Sequence, residues 1–499
     1  MTGLAQPAVI ASSLAYLAVV LAIGVWAARR THDARDFFIA GQGIGLVVTT
    51  LATMSAAFSG FLFLGGPGLT YRLGVSSFFI SVPVSFTAGL LCWTVAKRLR
   101  LLAEVREIYT VPDAVLARFR SRRASGLAAV AVIAGTVGYL GAQLQALGLV
   151  LDSIFGTGLA AGMAVGVVVV LAYAVAGGMV AGVYTDVVQG ALMIAAALGV
   201  FYYALESGGG LGAIGRTLAE SSDFGPGFLD PLGAAPLTAL GFYFVFGVGV
   251  LGQPQMLHKF YMLDDPRKLK WFPLALSSSQ ALVVLLWIGI GLAVPALVAS
   301  GRLAPLASPD DAAPAFLLGF APPLLAGIVF AGVLAAIMST ADSFVNIAAA
   351  ALVHDLPKAF GRPVRRELAR GRWAVVGVTV ASALFAFLYG DLIALLGTFA
   401  YGTFAAALAP AFAVGLNWRR VTPAAATASI AVGLALNLGL ELWGRQAWFP
   451  ALPKPPLAAG ALPSAVALAA SFTVLFVVTW WTSKGDDDVD ADVAAVMEM

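Results

Sequence analysis

The sequence predicts an all-α polytopic membrane protein of about thirteen transmembrane helices, its N-terminus outside and its C-terminus inside. Three observations predict this. The 499 residues are 60% hydrophobic and only 11% charged, with a mean hydropathy of +0.92, whereas a soluble domain carries about 25% charge. Apolar runs of roughly 20 residues, the length that crosses a bilayer, recur along the chain. Lys and Arg crowd onto alternate connectors. The same composition narrows the function. No basic tract interleaved with aromatics points to nucleic acid. The single Cys92 allows no intrachain disulfide framework. There is no HExxH and no Cys/His cluster, the three histidines His32, His258 and His354 falling in polar connectors. No nucleophile–base pair lies in the apolar runs, so neither an enzyme nor an organic cofactor is expected.

The spans fall at 8–28, 44–70, 74–96, 125–151, 157–177, 184–205, 236–257, 272–299, 314–346, 373–390, 392–416, 422–443 and 463–482. The first lacks a basic region before it and is followed by Arg29 and Arg30, which predicts a retained helix rather than a cleaved signal. With the N-terminus outside, the inner connectors are 29–43, 97–124, 178–183, 258–271, 347–372, 417–421 and the tail, and they hold 24 of the 29 basic residues. The chain reads as one transport domain. An extra helix and loop (1–43) precede two five-helix sets (44–205 and 236–416), then two further helices (422–482) and an acidic inner tail (483–499) expected to be disordered. The outer connector near 206–235 contains "GGGLG", a flexible link rather than a phosphate cradle, because no strand precedes it.

Two spans carry backbone trouble. "SAAFSGFLFLGGPGLTY" (55–71) and "FGVGVLGQPQ" (246–255) crowd Gly and Pro into one helix each. Close packing or a kink would account for either alone. They are, however, the first members of the two sets. An odd number of helices reverses direction, so the second set is inverted relative to the first. Interrupted helices at matching places in two inverted halves predict a midplane site, where freed carbonyls face a cation and half-helix N-termini face an anionic group.

"AAIMSTADSFVN" (335–346) adds a polar stripe to a stretch whose only charge from Pro314 to Val353 is Asp342. Ala336, Ser339, Thr340 and Ser343 share one helical face, which Asn346 continues. Such hydroxyls often bond only their own i−4 carbonyls. Clustered beside an intramembrane acid, which costs about 2.5–3.5 kcal/mol to insert, they predict a site of oxygen ligands for a hard cation. "VYTDVVQGALM" (183–193) offers a second acid, Asp186, with Thr185 and Gln189 at the start of the sixth span. An Asp there serves equally as a helix cap or as a cation contact. "YLGAQLQALG" supplies Tyr139 and Gln143, one turn apart, as the polar pair facing the solute, against a competing role of Gln in helix–helix hydrogen bonding. No Arg or Lys is expected within the central spans.

Together "DFFIAGQGIG", "GGPGLTY", "AGGMVAGVYTDVVQG", "GQPQMLHKFYM" and "AAIMSTADSFVN" resemble the sodium:solute symporter family over most of the chain. The resemblance implies the five-plus-five inverted-repeat fold of the leucine transporter, and inward movement of sodium with a small organic solute by alternating access. It implies a central sodium site from the carbonyls of Ser55 and Phe58 and from Ala336, Ser339 and Thr340. It also implies a second cation or proton site at Asp186, Asp342 and Ser343, with Ser339 between the two, and solute contacts from Ser59, Gly60, Tyr139, Gln143 and Phe246. "GQPQMLHKFYM" is most similar to the proline-permease branch. That branch has Asp, Trp and Tyr where this chain has Ala57, Phe246 and Val250, which puts proline itself in doubt. The function expected is thus a sodium-coupled importer of a small polar solute such as an amino acid or monocarboxylate, in the cytoplasmic membrane. Na+ is its co-transported ion, and lipid and solute are its only implied partners. The alternative is a transporter-like sensor acting through a separate partner, although about 17 residues after the last span are too few for a signalling domain.

Overall fold

The computed structural model describes residues 7–28, 45–261, 263–362, 367–445, 453–483 and 489–499, and within 175–185 the backbone alone. "DFFIAGQGI", His32 and the Thr185 side chain lie outside the described residues. Every regular element among the described residues is helical. Among the described residues nine helices are long and apolar enough to cross a bilayer, or ten if the bent pair Leu46–Ala57 with Phe61–Thr87 is taken as one span.

In chain order, α1 (Pro7–Ala28) is followed by α2 (Leu46–Ala57), a π-helical turn at Phe61–Gly65 and α3 (Gly66–Leu73). Gly74 then turns the chain at φ +75°; a Cβ there would lie 2.3 Å from the Phe228 carbonyl oxygen, so only glycine fits. α4 (Ser81–Leu91) and α5 (Lys97–Val105) lead to the short inner helix α6 (Val111–Phe119), capped by the Thr110 hydroxyl, which accepts from the Asp113 amide. α7 (Arg122–Phe155) and α8 (Leu159–Ser207) follow. The inner connector expected at 178–183 is helical, and the spans expected at 157–177 and 184–205 form one run of 49 residues. No proline interrupts this stretch, so nothing obliges the helix to stop. The "GGGLG" link is partly ordered: α9 (Leu211–Glu220) buries Ile214 and Leu218.

The second set opens with α10 (Pro236–Gly249), a 3-10 turn at Val250–Gly252 and α11 (Pro254–Tyr261). α12 (Phe272–Ala299) and α13 (Ala312–Gly319) precede α14 (Pro323–Ala350). The span expected at 314–346 is therefore split near Pro322 and Pro323, where proline removes ladder donors. A π turn at Ala351–Asp355 and α15 (Leu356–Ala359) continue α14. α16 (Glu367–Tyr389), α17 (Ile393–Ala413), α18 (Pro423–Gly444) and α19 (Pro463–Thr482) complete the bundle. α14 packs on α8 and α7, and α17 on α7 and α18. Both α14 and α17 are buried along nearly their whole length, whereas Phe86, Trp93, Trp373, Phe387, Trp480 and Trp481 stand exposed, as lipid-facing residues should.

Two expectations fail at the end of the bundle that carries α6, α15 and the tail. The acidic tail is not formless. α20 (Ala491–Glu498) buries Val493, Val496 and Met497, and Arg106 pairs with Asp490 at 2.8 Å and Asp492 at 2.7 Å. Basic residues of the inner connectors neutralise the tail, which its composition alone does not reveal. His258 and His354 are buried rather than held in loops. His258 Nε2 meets the Tyr109 carbonyl at 2.9 Å, and His354 bridges Asp113 (3.1 Å) and Glu367 (3.2 Å). Lys358 also reaches Asp113, at 2.6 Å. Burial pushes the Asp113 carboxyl up, but these two cationic neighbours outweigh it and hold it below its ordinary value.

Candidate functional site

Both predicted breaks are present, each closed by its own chemistry. In the first, Phe58 leaves helical geometry (φ −98°, ψ 120°). In a continuous helix the amides of Gly60 and Phe61 would close on the carbonyls of Ala56 and Ala57. Instead Gly60 donates to Gln143 Oε1 at 3.0 Å and Phe61 to Ser59 Oγ at 3.2 Å. Carbonyls at the end of α2 are thereby released from the ladder. In the second break, Gln253 is extended (φ −79°, ψ 108°) and Pro254 starts α11 without an amide proton. The Gln253 side chain donates to the Gly249 carbonyl (3.0 Å), which closes that loose end, and to the Tyr401 carbonyl of α17 (3.2 Å), which ties the break to that helix.

The predicted hydroxyl face of α14 meets the first break. Ser55 Oγ donates to Ser339 Oγ at 2.8 Å. Ser339 in turn donates to Asp186 Oδ1, and Lys259 Nζ lies 2.9 Å from Asp186 Oδ2. All four residues are buried, Asp186 and Lys259 at 0% and 1% exposure. The Thr340 hydroxyl is buried with no hydrogen-bond partner among the described residues. On the same helix Asn346 Nδ2 donates to Asp342 Oδ1 at 3.0 Å, while Asp342 Oδ2 and Asn346 Oδ1 have no partner among those residues. Ala336 and Ser343 are buried on this helix.

Two expectations are corrected here. Asp186 is not a cap, because it lies well inside α8 and its carboxylate is spent on Ser339 and Lys259. The central spans also hold a Lys after all. Lys259 sits on α11, which carries the helix on past 257, where the sequence had been divided into span and inner connector.

Beside the first break lies a narrow, partly open cavity. Phe58, Phe61, Tyr139, Phe246, Trp287 and Tyr401 give it an aromatic wall, with Gln255 as a polar member. Phe61 stacks on Phe246 at 5.8 Å between centroids and meets Trp287 edge-on at 6.2 Å, while Phe246 stacks on Tyr401 at 4.2 Å. The Tyr401 hydroxyl donates to the Phe246 carbonyl (3.1 Å) and the Trp287 indole to Thr70 (2.7 Å), which fixes both rings. No charged side chain lines the cavity among the described residues. Gln255 Oε1 is buried without a partner among them.

Of the expected solute contacts, Tyr139 and Phe246 line this cavity. Ser59 approaches the Tyr139 hydroxyl at 3.4 Å. Gln143 turns to the Gly60 amide, so its carbonyl oxygen braces the break, as the helix–helix reading allowed; its Nε2 has no partner among the described residues. Phe61, Trp287, Tyr401, Gln255 and Lys259 were not singled out from the sequence. Gln255 and Lys259 lie in "GQPQMLHKFYM", where polar residues resemble a connector; the aromatics look like ordinary core.

A profile of the sodium:solute symporter family matches residues 37–433. The chain belongs to the sodium:solute symporter family. The osmoregulated proline transporter OpuE of Bacillus subtilis (strain 168) is 29% identical over 85% of this chain and 86% of its own length. The sodium/proline symporter of Escherichia coli (strain K12) is 27% identical over 87% of each. A solved Na+-coupled sialic acid symporter, in a substrate-bound outward-open state, superposes with a TM-score of 0.78 at 17% identity, covering 95% of this chain and 98% of that one. The transporter MHP1 of the nucleobase-cation-symport-1 family gives 0.58 at 15% identity, covering 94% and 99%. These likenesses show the fold. As a sodium:solute symporter, similar in sequence to proline transporters, the chain is a multi-pass protein of the cytoplasmic membrane that carries a small solute.

Proposed function

We propose that this symporter imports a small organic solute together with sodium, by alternating access between the two broken helices. The single observation that carries the reading is the meeting of the first break with the hydroxyl face of α14, through Ser55 and Ser339, next to an unpartnered Thr340 hydroxyl. Released carbonyls and hydroxyl oxygens are the ligands a hard cation prefers. The central sodium would use Ser55, Phe58, Ala336, Ser339 and Thr340. The adjoining cavity would take the solute, with Tyr139 and Phe246 in its wall.

The wall supports a solute with a compact apolar body and at least one hydrogen-bond donor, which Gln255 Oε1 would accept. Relatives named for proline make it the first candidate, followed by other small amino acids and monocarboxylates, because Ala57, Phe246 and Val250 depart from the proline pattern. No observation favours the sensor alternative.

The test is a thermal-shift screen of the purified protein against L-proline, other small amino acids and monocarboxylates, in sodium and in choline buffer. A bound ligand raises the apparent stability by mass action. We expect at least one solute to raise the melting temperature in sodium and not in choline. Equal shifts in the two buffers would contradict sodium coupling.

A further inference from the structure

The contact at Asp186 goes beyond the site a single sodium needs. Asp186 has two carboxylate oxygens, and both are engaged: Oδ1 by the Ser339 hydroxyl and Oδ2 by the Lys259 ammonium at 2.9 Å. Neither charged side chain reaches solvent. A buried carboxylate requires a cation or dense hydrogen bonding, and a buried ammonium requires an anion. Lys259 is supplied by α11, the inner half of the second broken helix, whereas Asp186 belongs to α8 and Ser339 to α14. The ammonium thus stands on the acid beside the hydroxyl face, at the place where a second cation would have to bind.

We propose that Lys259 is a built-in cation that occupies the second cation position at Asp186, so that this chain binds one sodium and not two. The inference rests on the symport reading for the central site alone. The polarity of the contacts agrees with it. Ser55 donates to Ser339, and Ser339 donates to Asp186, so the hydroxyl protons run toward the acid. The Ser55 oxygen and the unpartnered Thr340 hydroxyl keep lone pairs for one ion at the break. A sodium at Asp186 would have to displace an ammonium that is tethered a single side chain away, at very high effective concentration. Removing Lys259 would leave Asp186 beside Ser339, with Asp342 one turn further along α14, as a vacant anionic oxygen site for a free cation.

The experiment counts ²²Na⁺ bound at equilibrium per purified full-length chain, without solute, for the wild type, Lys259→Met, Lys259→Arg and the double variant Asp186→Asn/Lys259→Met. The expected result is one additional sodium per chain in Lys259→Met relative to the wild type, none in Lys259→Arg, and a count equal to the wild type in the double variant. An unchanged count in folded Lys259→Met would overturn the proposal and leave Lys259 as a structural partner only. Should Lys259→Met fail to fold, Lys259→Gln, which keeps a hydrogen-bond donor for Asp186 without the charge, takes its place with the same expected gain of one sodium, and the double variant, which buries no unpaired charge, is the control. A count one below the wild type there would show that Asp186 already binds sodium, and would overturn the proposal as well. The wild-type count separately tests the symport reading: zero sodium in the wild type contradicts that reading, while the difference between wild type and Lys259→Met still decides the role of Lys259.

Discussion

The two broken helices use the same backbone device for opposite chemistry. At 58–59 the chain spends side chains, Gln143 and Ser59, on the loose amides and leaves carbonyls free. At 250–253 it spends Gln253 on the loose carbonyl of Gly249 and on the Tyr401 carbonyl of α17. The first break therefore faces hydroxyls with lone pairs to spare, at Ser55 and at the packed-on helix of Ser339 and Thr340. The second presents Phe246 and Tyr401, a stacked aromatic surface with its polar groups consumed. Inverted symmetry supplies the geometry twice, and side-chain chemistry then divides the labour: ion at one break, shape of the solute at the other. The Asp186–Lys259 pair joins the two, because Lys259 extends from the second break to the helices that pack on the first.

The largest effect is expected where the breaks are joined. Asp186→Asn leaves a buried ammonium without its carboxylate, and removing one partner of a buried pair costs about 3–5 kcal/mol. Thermal denaturation in detergent should show Asp186→Asn well below the wild type, with the Asp186→Asn/Lys259→Met double variant recovering much of the loss. Equal losses in the single and double variants would mean that the pair does not couple the two sides.

Phe246→Ala tests the second break alone. It removes a ring that touches both Phe61 and Tyr401, at a cost of about 3 kcal/mol in stability. In uptake assays it should change the order in which solutes are preferred while sodium dependence stays within about twofold, less than 0.5 kcal/mol. A large shift in half-saturating sodium would erase the division between the breaks. Ser339→Ala and Thr340→Ala make the converse test. Each deletes an oxygen at the first break and should raise half-saturating sodium about tenfold, or 1.4 kcal/mol, without reordering solutes. The smallest effect belongs to Tyr401→Phe. It loses the hydrogen bond to the Phe246 carbonyl, worth about 1 kcal/mol, and should weaken solute binding slightly at unchanged sodium affinity.

Much of this arrangement can be read from residue order. Gly and Pro at 247–254 mark the second break because they alter the backbone directly, whereas the first break falls at 58–59, beside Gly60, and the Gly65–Gly68 cluster after it stays helical. The spacing of Ser339, Thr340 and Ser343 marks the polar face because helical periodicity is local. What escapes is set by partners far apart in the chain. Lys259 reads as a connector residue, since nothing nearby shows that α11 carries it to an acid 73 positions away. The tail reads as disordered, since the arginines that hold it, Arg106 and Arg120, lie some 370–386 residues earlier. α8 reads as two spans because its 49 residues exceed what one crossing needs, and nothing local shows that the helix continues between them.

The most direct measurement of the central claim is the sodium affinity of the purified protein with and without a saturating solute identified in the thermal-shift screen, paired with the solute affinity with and without sodium. The site at the first break and the cavity beside it share Phe58 and neighbouring backbone, so binding of each should favour the other. Linkage requires the two enhancements to be the same factor. The account predicts equal factors of at least about fivefold, near 1 kcal/mol of coupling, and their loss in Thr340→Ala. Solute affinity that is identical in sodium and in choline would contradict it.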